Sequence, residues 1–90
     1  MDKNLHYLYK ITNILNNNIY IGFTNNIKRR INEYKNLNCK NQKLLYYSIS
    51  KYGWENHKFE VFCTCIPEIS SSLEIYFIKY YNTQRINNYL

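Results

Sequence analysis

Three consecutive asparagines, Asn16-Asn17-Asn18, separate two short apolar runs, and they constrain the fold of this chain more than any other feature. Residues 6–12 alternate like a strand, with Tyr7, Tyr9 and Ile11 on one face and Leu8, Lys10 and Thr12 on the other. Ile19 to Gly22 reads as the return strand. Asparagine tolerates positive φ and bonds its own backbone, so a hairpin turn belongs between them. A simple two-residue hairpin does not set Tyr9 directly opposite Tyr20. Bulge, twist or loop length must bring them into one site.

Helical spacing takes over after the hairpin. Thr24 or Asn25 is a suitable cap for a helix running to about Lys35, whose apolar stripe is Ile27, Ile31 and Tyr34. A second helix is predicted from about Asn41 to Tyr52, with Gly53 as its C-terminal cap. Lys58 to Cys63 alternates like a third strand. Pro67 and the serines at 70–72 open a last helix, Leu73 to about Tyr81. The expected class is α+β: one domain over residues 1–90, a small three-stranded antiparallel sheet flanked by about three helices.

Ninety residues with a formal charge of +6 suggest a polyanionic partner. No apolar run approaches the roughly 20 residues needed to span a bilayer, so no membrane partner is expected. The N-terminus lacks the apolar core of a secretory signal. Cys39, Cys63 and Cys65 show no zinc spacing and read as free thiols in a reducing, intracellular compartment. The abundant asparagines read as turn and segment-end residues rather than as function.

Two charged residues fall on apolar rows. Arg30 stands three after Ile27 and four before Tyr34. It either snorkels, with its stem over apolar surface, or clamps an anion. Glu74 stands three before Phe77 and four before Ile78. An unpaired buried carboxylate is costly, and Arg30 or a bound Mg²⁺ would relieve it. Alternatively, Glu74 lies at the edge of a helix covered in aromatics. Taken singly, Tyr9 and Tyr20 are two of eleven tyrosines and are better explained by packing. From the residues alone, the reading reaches a basic α+β domain with a carboxylate–arginine–tyrosine set.

In this order the residues resemble the catalytic domain of the GIY-YIG endonuclease family, over about residues 6–89. Tyr7-Leu8-Tyr9 stands at its first motif and Tyr20-Ile21-Gly22 at its second. Asn26 to Arg30 is similar to the helix with the active-site arginine, matched by Arg30, and Tyr34 fits the position one turn later. Ser50 to Asn56 resembles a stretch of the phage and intron-homing members. Leu73 to Lys79 resembles the helix with the metal-binding glutamate, matched by Glu74. The first motif begins with Tyr7 where the family has glycine. The chain ends Asn88-Tyr89-Leu90, so the asparagine of the family's Gly-Tyr-Asn ending is not matched in place, and Asn87 and Asn88 are the nearest substitutes.

The resemblance implies Mg²⁺- or Mn²⁺-dependent hydrolysis of a DNA phosphodiester, with Tyr9, Tyr20, Arg30, Tyr34 and Glu74 as catalytic residues and Glu74 as the metal ligand. Either Tyr9 or Tyr20 serves as the base, with Tyr20 preferred. Close cations are expected to favour the phenolate. Lys10, Lys28, Arg29, Lys35, Lys40 and Lys43 would grip phosphates without reading sequence. No separate recognition module is legible, so specificity would come from a homodimer, an accessory protein or a structured substrate. His6 and His57 read as ordinary surface or strand-end residues. The competing readings are a nuclease-derived nucleic-acid-binding module that no longer cleaves, and a structural or RNA-binding protein. The expected context is viral, phage-like or mobile-element.

Overall fold

A computed structural model describes the backbone of residues 4–89 and the side chains of residues 4–82. The elements run β1 (His6–Asn13), β2 (Ile19–Thr24), α1 (Ile27–Lys35), α2 (Lys43–Tyr52), a single 3₁₀ turn (Trp54–Asn56), β3 (His57–Cys65) and α3 (Pro67–Tyr89). The sheet is antiparallel in the order β2-β1-β3, so β1 is central and β2 is an edge. This is the expected α+β class with three strands and three helices.

The hairpin turn closes as the asparagines require. Asn17 takes a positive φ of 64°. Asn13 Oδ1 accepts from the backbone amides of Leu15 and Asn16, and Asn16 Oδ1 accepts from Asn18 N. Asparagine side chains therefore satisfy loop amides that have no strand partner. The register pairs Tyr9 with Gly22 and Ile11 with Tyr20. Tyr9 and Tyr20 are thus diagonal neighbours on one face, within reach of aromatic side chains. Loop length alone achieves this. The irregularity in β1 lies at Leu8/Tyr9 in its pairing with β3, not with β2.

Several boundaries differ from those expected. Asn26, not Thr24 or Asn25, caps α1, with Oδ1 accepting from Arg29 N at 3.0 Å. The Thr24 hydroxyl is occupied in the turn before it, accepting from Asn26 N. α3 opens at Pro67 rather than at Leu73, because proline suits a first helical position where no amide partner is needed. Ser70 therefore lies inside the helix, buried, and its hydroxyl bonds back to Pro67 O at 2.9 Å.

The core is aromatic and continuous with β1. Tyr9, Ile11, Tyr34, Cys39, Leu45 and Ile49 form one buried cluster. Phe59 stacks on Tyr9 with ring centroids 4.7 Å apart, and Trp54 stacks on Tyr34 at 5.7 Å. Such pairs add roughly 0.5–1.5 kcal/mol beyond the area they bury. His57 is at a strand end as expected, but it is buried rather than on the surface. Its Nδ1 donates to Gly53 O and its Nε2 accepts from Ser48 Oγ, each at 2.8 Å, while Asn13 Nδ2 donates to Ser48 Oγ. That chain of donors ties the hairpin loop to α2 and to the start of β3. All three cysteines are free thiols.

Candidate active site

A groove of about 930 Å³ runs along the β2 edge, between the start of α2 and the face of α3. Tyr9, Tyr20, Arg30 and Glu74 all line it. Four of the five expected catalytic residues, from four elements, therefore meet at one concavity. Tyr34 lies one layer deeper. It is fully buried, and its hydroxyl lies 2.5 Å from that of Tyr9.

The position of Tyr9 is determined from several sides. Its ring is sandwiched between Phe59 and the edge of Tyr34. Gly22, its cross-strand partner, leaves open the space that its hydroxyl occupies. Burial, then the neighbouring Tyr34, raises the pKa of Tyr9 well above the ordinary tyrosine value, and the attraction of Arg30 does not offset this. The expectation that a cation would favour the phenolate is thus not met at Tyr9 with Arg30 alone. Burial also raises Tyr34, against the lowering effect of the Tyr9 hydrogen bond and of Arg30.

Arg30 is half-buried on α1 and interacts with both Tyr9 and Tyr34. Partial burial opposes its charge, but Tyr9, Tyr34 and Glu33 together outweigh that and raise its pKa. Its Nε lies 3.4 Å from Glu33 Oε1, without hydrogen-bond geometry. Glu33 also faces Arg29 at 3.6 Å, so its charge is shared. The guanidinium is a cation held at the groove by a phenol cluster and one flanking carboxylate.

Glu74 lies on α3, one turn before Ile78 and two before Asn82, which line the groove with it. It makes no hydrogen bond or ion pair among the described residues, and partial burial raises its carboxyl pKa. No cluster of three or more His, Cys, Asp or Glu suited to a metal occurs among the described residues. A caged zinc or calcium site does not fit such a donor set. A single carboxylate without a counter-cation among the described residues, facing an open groove, does fit Mg²⁺ or Mn²⁺, because Mg²⁺ takes one or two carboxylates and keeps several waters.

The six basic residues do not form one face. Lys43 lines the groove. Lys28, Arg29 and Lys35 border a second depression on the outer side of α1. Lys40 is exposed in the connector before α2. Lys10 projects from the opposite face of β1 to Tyr9, 3.7 Å from Glu60 and over the Tyr81 ring. Asn87 and Asn88 lie outside the residues whose side chains are described.

Sequence reasoning missed Gln42. It lines the groove, and its Oε1 accepts from the Tyr34 hydroxyl at 3.0 Å. No spacing rule marks it, since it lies between elements, and only the fold brings it to Tyr34.

No helix among the described residues is long and apolar enough to cross a membrane. No significant match exists among curated proteins or solved structures. The family model described as GIY-YIG catalytic domain matches residues 5–88. That span contains both tyrosine strands, the arginine helix and the glutamate helix, in the order that lines the groove. The chain therefore belongs to the GIY-YIG family and is a nuclease catalytic domain.

Proposed function

We propose that the groove hydrolyses a DNA phosphodiester using one divalent cation and a tyrosine general base. The observation that carries this reading is the meeting of Tyr9, Tyr20, Arg30 and Glu74, a carboxylate without an ion pair among the described residues, at one concave surface. Glu74 would hold Mg²⁺ or Mn²⁺. Bound there, the cation supplies Lewis-acid stabilisation of charge on the phosphate and the leaving oxygen.

The side chains divide the remaining work. Arg30 binds a non-bridging phosphate oxygen and counters the charge that grows on it. Tyr20 takes the proton from the attacking water. Tyr9 is the poorer base, because its hydroxyl is buried and engaged with Tyr34. It orients the water or phosphate instead. Tyr34 supports Tyr9 from within the core through their hydroxyl–hydroxyl hydrogen bond. Lys43 adds a phosphate contact at the groove, and Lys28, Arg29 and Lys35 offer a separate basic surface on the outer side of α1. The partner is DNA, with sequence specificity supplied by a second copy, an accessory protein or the structure of the substrate.

Incubation with supercoiled plasmid tests this. Nicking that requires Mg²⁺ or Mn²⁺, stops in EDTA and is lost in Glu74→Ala supports the proposal. Plasmid binding by the unaltered protein with no nicking at any metal concentration overturns it and favours a nuclease-derived binding module.

A further inference from the structure

We propose that Gln42 is a positioning residue: its side-chain oxygen sets the direction of the Tyr9–Tyr34 hydrogen bond, and its amide hydrogens contact the substrate phosphate. This rests on the nuclease reading above and assigns a new participant in the same site.

The direction follows from donor and acceptor inventory. Gln42 Oε1 can only accept, so the Tyr34 hydroxyl donates to it at 3.0 Å. A hydroxyl has one hydrogen. The Tyr34 oxygen must therefore accept from Tyr9 across their 2.5 Å contact. The Tyr9 hydrogen is turned inward as a result, and its oxygen offers the groove a lone pair. A water hydrogen can be held there, while the lone pair of that water remains directed elsewhere. Without Gln42, the Tyr34 hydrogen would turn to Tyr9 and push the Tyr9 hydrogen into the groove.

Gln42 is built for this at the expense of its own helix. It stands at the N-cap of α2, yet its side chain makes no capping bond. Its backbone is held on both sides, with its amide donating to Cys39 O at 2.9 Å and its carbonyl accepting from Tyr46 N at 2.8 Å. Its Nε2 has no hydrogen-bond partner among the described residues, and Gln42 lines the groove between Asn41 and Lys43. Two free amide hydrogens there suit a phosphate oxygen.

The test uses Gln42→Met, which removes the acceptor and the donors, and Gln42→Glu, which keeps an acceptor but loses the donors and adds charge. Gln42→Ala is the second deletion if Gln42→Met does not fold. In Mg²⁺-dependent plasmid cleavage, Gln42→Met should lower the saturating rate by about 10-fold or more, as expected when a reacting group is misplaced. Gln42→Glu should keep most of that rate and raise KM instead. In a Tyr34→Phe background, Gln42→Met should cost no further saturating rate. An equal loss with and without Tyr34, or equal rate losses in the Met and Glu variants, overturns the proposal. Nuclear magnetic resonance of protein labelled with ¹³C at tyrosine Cζ provides a readout that needs no cleavage. The Tyr9 and Tyr34 signals should move in Gln42→Met and stay near their places in Gln42→Glu. Unmoved signals in Gln42→Met overturn the relay even if the protein cuts DNA. Moved signals in a protein that never cuts uphold the relay and defeat the nuclease reading.

Discussion

A β-carbon on Gly22 would lie 2.6 Å from the Tyr9 hydroxyl oxygen and 2.7 Å from its Cζ. The glycine of the second motif is needed for space, since its backbone is not in the left-handed region. Tyr9 cannot yield, because Phe59 and Tyr34 hold the ring. Gly22→Ala should therefore destabilise the fold by about 1–3 kcal/mol, the usual range for overpacking, in urea unfolding. Cleavage should fall further than the loss of folded protein explains, because the displaced phenol lines the groove.

The two strand tyrosines should separate in kinetics. Tyr20→Phe removes the base and should cost about 10²–10⁴-fold in the saturating rate, with plasmid affinity retained. Tyr9→Phe removes a buried hydroxyl from a hydrogen-bonded pair and should also lower stability, by about 1 kcal/mol. Single-turnover cleavage combined with thermal unfolding distinguishes them. A larger rate loss in Tyr9→Phe than in Tyr20→Phe would reverse the assignment.

Glu74 links pH, metal and stability. Its folded pKa lies above the ordinary value of 4.5 because burial disfavours the charge. The native state therefore holds this proton more tightly than the unfolded chain. That contribution to stability is present below the ordinary pKa and is lost as pH rises through the raised one. In EDTA at neutral pH, Glu74→Gln should melt slightly above the unaltered protein. Mn²⁺ should raise the melting temperature of the unaltered protein and leave Glu74→Gln unmoved. At sub-saturating metal, cleavage should fall on acidification, because the proton and the cation compete for the Glu74 carboxylate.

Salt dependence should distinguish the lysines. Lys43 lines the groove, whereas Lys10 is turned away and faces Glu60. Lys43→Ala should reduce the slope of log affinity against log salt by about 0.9, the value for one lost phosphate contact on duplex DNA. Lys10→Ala should leave it unchanged. Fluorescence anisotropy with a labelled duplex over a salt series measures both.

The hairpin was legible because asparagines mark a turn chemically and alternation marks strands. Arg30 and Glu74 were legible because a charge on an apolar row needs an explanation. The shared face of Tyr9 and Tyr20 was not, since facing depends on the register that a five-residue loop imposes, and one residue more or less would turn Tyr20 over. Gln42 and His57 were hidden for a related reason. Their partners, Tyr34 and Ser48, are eight and nine residues away and meet them only once the elements pack. Charge alone groups Lys10 with the other cations, although strand alternation puts it on the face away from Tyr9.

Paramagnetic broadening by Mn²⁺ tests most directly whether one cation site serves all four groove residues. With ¹³C-labelled tyrosine and ¹⁵N-labelled arginine side chains, sub-stoichiometric Mn²⁺ should broaden the Tyr20, Tyr9 and Arg30 signals together, and Glu74→Ala should abolish the effect. Broadening that spares Tyr20 and Arg30, or that persists without Glu74, would contradict a metal held at this groove.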